Sequence, residues 1–169
     1  MWLYRGQERP AFATRPGPGQ ESVWDYPRPP VVVPDHRLVE VRAAGVLIAS
    51  TSRALRVLET ASPPTFYLPP GDVDLEQLVR SAGSSFCEWK GEAVYCAVRR
   101  QASTPVGWSY EDPCEPFRAI AGALSFYPGR VECRVAGQLV VPQPGGFYGG
   151  WVTEDVVGPF KGEAGTGHW

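Results

Sequence analysis

The sequence predicts a mainly β domain: a small rolled sheet or open barrel with one or two short helices and extended terminal arms. Three observations lead there. Short apolar runs recur along the middle of the chain, separated by turn residues. Glycine and proline number 19 and 18 in 169 residues and crowd into the two ends. A single segment, near residue 75, carries a convincing helical pattern.

Taken in order, residues 1–36 contain "RPGPGQ" and "WDYPRPPVVVP" and read as an extended N-terminal arm. The core domain spans 37–141. It opens with "LVEVRAAGVLIAS", two strands turning at Ala44-Gly45, where glycine supplies a positive φ. "SRALRVLET" follows as a short helix, although Leu55, Val57 and Leu58 fit neither period cleanly. The prolines of "PPTFYLPP" mark an edge strand. "GDVDLEQLVR" is the clearest helix: Asp72 caps it, Leu75, Leu78 and Val79 form one apolar face, and Glu76 stands four before Arg80. "SFCEWK" and "AVYCAVRR" form a hairpin turning at Gly91-Glu92. "VGWSYED" and "AIAGALSFY" are strands, and "RVECRVAGQLVV" is a last hairpin turning at Ala136-Gly137. Residues 142–169 form a Gly/Pro/aromatic C-terminal arm. Both arms carry large aromatics (Trp24, Tyr26, Phe147, Tyr148, Trp151, Phe160 and Trp169), which flexible tails lack, so they dock on the core or on a partner subunit.

Composition excludes several functions. The formal net charge is −2 and the largest basic cluster is Arg99-Arg100, far below the footprint of a nucleic-acid binder. No apolar run approaches the roughly 18–20 residues that cross a bilayer, and the N-terminus lacks the apolar stretch of a signal peptide. The expectation is a cytoplasmic protein with neither membrane nor nucleic acid as partner. The cysteines, Cys87, Cys96, Cys114 and Cys133, contain no CxxC pair, and His36 and His168 lie in terminal segments, so neither a structural metal nor a cofactor is expected. Free thiols are the default in a reducing compartment, with a Cys87–Cys96 bridge across the hairpin left open.

GxSxG, HExxH, GxxxxGK[ST] and a strand–GxGxxG–helix unit are all absent. What remains is Lys90, beside Trp89, with Glu59 after an apolar run and with Trp108 and Tyr110 two apart, hence on one strand face. If these converge, they form an aromatic-walled pocket with one cation and one anion. Burial there would lower the lysine pKa and suit Lys90 to act as base or nucleophile.

The ordered words "ALRVLETASPPTFYLPPGDV", "CEWKG", "GWSYEDP" and "IAGALSFY", over roughly Leu38 to Val141, resemble a widespread bacterial family, domain of unknown function 427. "SVWDYPRPP" and "PQPGGFYGGWVT" resemble a longer subgroup with aromatic extensions. The resemblance implies a β-tent-like rolled sheet, similar in shape to zinc-carrying domains whose paired CxxC ligands this chain lacks. It carries a nucleotidyltransferase-like label, although the Gly-Ser turn and spaced Asp pair of ordinary nucleotidyltransferases are missing here. The family pattern falls on Glu59, Tyr67, Cys87, Lys90, Tyr95, Trp108 and Tyr110 among others. From these follow three readings. One is a module binding a small polar or anionic molecule through Tyr67, Cys87, Tyr95, Trp108 and Tyr110. The second is an enzyme using Lys90 and Glu59, with Cys87 redox-active or nucleophilic. The third is an assembly protein that forms homodimers through its arms.

Overall fold

The computed structural model describes all 169 residues and is mainly β. The strands are β1 Glu21–Ser22, β2 Val31–Asp35, β3 Val39–Ala43, β4 Val46–Thr51, β5 Ala54–Leu58, β6 Thr65–Tyr67, β7 Leu78–Cys87, β8 Gly91–Val98, β9 Pro105–Ser109, β10 Leu124–Phe126, β11 Glu132–Val135, β12 Gln138–Leu139, β13 Val141–Pro142, β14 Trp151–Val152 and β15 Val156–Val157. Helical segments are short 3-10 turns, the longest Glu115–Ile120.

Three sheets carry the architecture, in the strand orders β2-β5-β6, β10-β9-β8-β7 and β12-β11-β3-β4. The first two are stitched together by reciprocal backbone hydrogen bonds between Leu68 and Leu124, 2.7 and 2.9 Å, so they roll as one surface. Between that surface and the third sheet lies the largest apolar core, which includes Val39, Val41, Ile48, Phe66, Phe126 and Trp151. A second cluster, with Tyr67, Trp108, Tyr110, Phe117 and Ile120, packs on the other side of the roll.

The two hairpins built on Ala-Gly form as the sequence predicts. At Ala44-Gly45 and Ala136-Gly137 both turn residues have φ between 48 and 80°, which matches the right-handed twist of the flanking strands. "PPTFYLPP" supplies β6 at the edge of its three-stranded sheet. Four readings need correction. "AIAGALSFY" is strand only at Leu124–Phe126, because its first two residues close the 3-10 turn Glu115–Ile120. "SRALRVLET" is strand β5, paired on both sides, to β2 and β6. A central strand buries residues on both faces, which is why no single period emerged. "GDVDLEQLVR" is not a helix but two 3-10 turns, Pro70–Asp72 and Leu75–Gln77, running into β7. Asp72 instead accepts a hydrogen bond from Thr51 and pairs with Arg53, Asp74 caps the second turn, and Arg80 pairs with Glu111 rather than Glu76. Cross-strand pairing of Leu78, Val79 and Arg80 with Val98, Ala97 and Cys96 overrides the local helical pattern. The β7–β8 hairpin turns at Glu88-Trp89-Lys90, because Gly91 already pairs with Cys87. Cys87 and Cys96 are therefore not partners across it, and all four cysteines are free.

The terminal segments pack on their own chain. Trp151 is fully buried, stacks on Phe66 at 4.8 Å and donates from Nε1 to the Phe126 carbonyl. Tyr4, Phe12, Trp24 and Trp169 form an aromatic cluster with ring centroids 5.1–6.0 Å apart, and β1 runs parallel to β15. No helix is long and apolar enough to cross a membrane.

Candidate functional site

One cavity of about 460 Å³ opens beside the second apolar cluster, where the two stitched sheets meet. Strand alternation decides who faces it. From β5 and β6 come Val57, Thr65 and Tyr67; from β7 and β8 come Ser85, Cys87, Ala93 and Tyr95. Trp108 of β9 lies directly across from Tyr95, and Tyr110 follows two residues on, so both reach the same side. Glu59 and Lys90 complete the group singled out in the sequence, and all seven of those residues line this one cavity.

Lys90 is only 8% exposed. The hairpin tip that carries it is held down by its carbonyl, which accepts from the Cys114 amide at 3.0 Å. Nζ stands 5.6 Å from the Tyr110 ring centre and 5.8 Å from that of Phe117, close enough for attraction to both ring faces. It pairs with no carboxylate, and the Cys87 thiol is the side chain within hydrogen-bonding reach of it. Burial opposes its charge, but Tyr67, Cys87 and Glu59 outweigh burial, so its pKa lies above the ordinary lysine value. The net direction is the opposite of the lowering expected from desolvation alone.

Tyr67 is 1% exposed, and its hydroxyl accepts from Trp108 Nε1 at 3.2 Å. The indole uses the acceptor side of the phenol and leaves its proton to be donated. Burial raises the Tyr67 pKa, opposed by the charge on Lys90. Burial likewise raises Tyr110 and holds Tyr127 up at about 12, so all three phenols stay neutral donors. Tyr95 and Ser85 share a 2.6 Å hydrogen bond.

Glu59 lines the cavity but does not pair with Lys90. It accepts from Arg28 Nε at 3.1 Å, and the Arg28 side chain is 1% exposed. A buried guanidinium needs a carboxylate, and Glu59 is the one that reaches it. Arg28 also donates to the carbonyls of Tyr4 and Thr60 and stacks 4.3 Å from the Trp2 ring. Lys161, 3% exposed, sits 3.8 Å from the same Trp2 ring and 5.5 Å from that of Tyr148; burial and Arg28 push its pKa below the usual lysine value.

Several lining residues escaped sequence reasoning. Tyr127 packs 4.6 Å from Trp108. Gln143, Phe147, Tyr148 and Gly149 come from the C-terminal segment, which lies across the cavity. A Cβ on Gly149 would stand 2.6 Å from Trp108 Cζ3 and closer still to Cη2, so only glycine lets the backbone cross the indole there. The one sequence signal was "GGFYGG", aromatics bracketed by paired glycines. Phe86 and Phe147, 79% and 78% exposed, form the lips of the opening.

The cavity thus brings together one lysine, one carboxylate and the phenols of Tyr67, Tyr95, Tyr110 and Tyr127, walled by aromatic faces. No group of three or more His, Cys, Asp or Glu side chains is placed to hold a metal ion. No curated protein matches the chain. A family model does match it, over residues 31–137, which include Glu59, Tyr67, Lys90 and Tyr110; the chain belongs to the family described as Domain of unknown function (DUF427).

Proposed function

We propose that this domain binds a small molecule carrying a carboxylate or phosphate, with the anionic group seated on Lys90 and a planar or apolar body lying between the aromatic walls. One observation carries the reading: a buried lysine that pairs with no carboxylate, and has only the Cys87 thiol within hydrogen-bonding reach, faces a cavity large enough for a small ligand. A buried charge is retained where a counter-charge arrives, and Tyr67 stands ready to donate a second hydrogen bond to the same anion.

The upward direction of the Lys90 pKa favours binding over use of a free amine as base or nucleophile. Trp24 and Trp151, the anchors that would serve an arm-mediated homodimer, are buried within the chain, so the reading needs no second copy. We place the protein in the cytoplasm, whose reducing poise keeps four thiols free.

The test is a thermal-shift panel of carboxylates and phosphates with and without aromatic bodies, run on wild type and Lys90→Met. A ligand at a hundred times its Kd adds about 2.7 kcal/mol. For a chain of this length that raises Tm by roughly 5–11 °C. Lys90→Met, which keeps the aliphatic stem, abolishes the shift. A panel without a stabilising anion, or a shift unchanged in Lys90→Met, overturns the proposal.

A further inference from the structure

The four thiols have four different surroundings. Cys133 is 1% exposed and burial pushes its pKa far up; burial holds Cys96 up at about 11. Both are poor nucleophiles, since the thiolate is the reacting form. Cys114 is exposed and lies outside the cavity. Cys87 is half-buried, ends β7 and lines the cavity. Its neighbours there are Lys90 and Tyr110, each within hydrogen-bonding reach of this thiol.

A lone thiol in a pocket says nothing. Here it shares the pocket with a second feature that points to a ligand: Lys90, 8% exposed, paired with no carboxylate and within hydrogen-bonding reach of this same thiol. Lys90 follows Cys87 by three residues across one tight turn and lines the same cavity, so an anion held on it would lie on the side of the cavity that carries Sγ. Of the four cysteines, only Cys87 lines this cavity.

We propose that Cys87 is a nucleophile for anionic electrophiles, specifically carboxylates bearing an activated carbon–carbon double bond, which Lys90 seats against Sγ. The step is a conjugate addition. The S–H bond and the π bond break, and a C–S bond forms at one alkene carbon. The π pair moves to the other alkene carbon, which takes up the proton the thiol gave, relayed by Lys90 or by the neutral Tyr110 hydroxyl. The product is a thioether, and no oxidant or reductant enters. The inference rests on the anion-binding reading of the same cavity.

The experiment uses trans-benzoylacrylate and its neutral primary amide, which share the alkene and the aryl ketone and differ in charge. Full-length protein is treated with each, and the rate of adduct formation at every cysteine is followed by peptide mass spectrometry. Cys114 in the same molecule reports the intrinsic ratio of the two reagents. At Cys87 the acid-to-amide rate ratio exceeds that at Cys114 by about tenfold or more, as expected for a charge pair in a partly buried site. Lys90→Met and Lys90→Gln, each confirmed folded by its melt, bring the Cys87 ratio down to that of Cys114, and Cys87→Ser removes the cavity adduct. Equal ratios at the two cysteines in wild type, or no adduct at Cys87, overturn the inference. If non-electrophilic carboxylates still stabilise the protein through Lys90, the binding function stands and only the thiol chemistry falls.

Discussion

Replacing Gly149 with alanine tests whether the C-terminal segment is a built wall of the cavity. The added Cβ would overlap the Trp108 ring, 2.6 Å from Cζ3 and nearer to Cη2, where ordinary carbon contacts begin above 3.4 Å. The ring cannot step aside freely. It is 7% exposed, its Nε1 is held by the Tyr67 hydroxyl at 3.2 Å, and Tyr127 packs 4.6 Å away. The backbone must lift instead, which strains the bonds from the Gly150 amide to Gln143 Oε1, 3.0 Å, and from the Trp151 amide to the Pro64 carbonyl, 2.8 Å. Overpacking of this kind costs about 1–3 kcal/mol. At 2–4 °C per kcal/mol for a chain of this size, Tm falls by roughly 4–8 °C at the centre of that range. Gly167 is the control: a Cβ there meets nothing within 4 Å and its φ is not positive, so Gly167→Ala leaves Tm within about 1 °C. The assay is thermal unfolding followed by tryptophan fluorescence. Equal melts for the two variants would refute the claim that the segment is pressed against Trp108.

Two further predictions concern the frame around the site. Trp151→Ala removes a fully buried indole stacked on Phe66 and lowers stability by about 3–5 kcal/mol in a denaturant titration; a loss below about 1 kcal/mol would mean the C-terminal segment does not share the main core. Asp35 is buried and pairs with Arg37 and Arg56; burial opposes its ionisation, but the hydrogen bonds and charge of Arg37 outweigh it and hold the carboxyl below 3.8. A depressed folded-state pKa contributes stability that is full above the unfolded value and is lost as pH falls through the folded one. Wild type therefore loses stability as pH drops below about 4. Asp35→Asn, destabilised by on the order of 3 kcal/mol at pH 7, shows a flatter acid limb in melts recorded between pH 7 and pH 2.

The parts of the fold legible in the sequence are those set by local chemistry. Ala44-Gly45 and Ala136-Gly137 announce their turns because a two-residue hairpin needs positive φ, which glycine supplies. The failures are places where a distant partner decides. Leu75, Leu78 and Val79 do make a helical stripe, yet "SAGSS", weak in strand propensity, continues as the edge strand β7 because β8 lies beside it. The site follows the same division. Trp108 and Tyr110 share a face by alternation alone, and their residue types suggested a pocket. That Glu59 would face Arg28 instead of Lys90 could not be read, since Arg28 arrives from 31 residues upstream through a buried contact. The charge state of Lys90 was beyond sequence for a related reason: burial and neighbouring groups act with opposite signs, and only their relative placement decides.

Arg28 itself lies outside the residues matched by the family model, yet it pairs with the carboxylate that lines the cavity. With Arg28 in place, the Glu59 carboxylate is neutralised from behind, and Lys90 is left as the cation available to a ligand. Arg28→Met frees that carboxylate, and Glu59 then competes with the ligand as counter-ion for Lys90. Anion affinity, measured by calorimetry with the best ligand of the thermal-shift panel, falls by about tenfold, the worth of one weakly screened charge. The variant also leaves the carbonyls of Tyr4 and Thr60 without their donor, so some loss could come from loosened structure. Adding Glu59→Gln separates the two. Removing the competing charge restores affinity in Arg28→Met/Glu59→Gln without repairing the lost hydrogen bonds, so Tm stays low while Kd recovers. If Kd stays as poor in the double variant as in Arg28→Met, Glu59 does not compete for Lys90, and the electrostatic account of the cavity fails even though its shape remains.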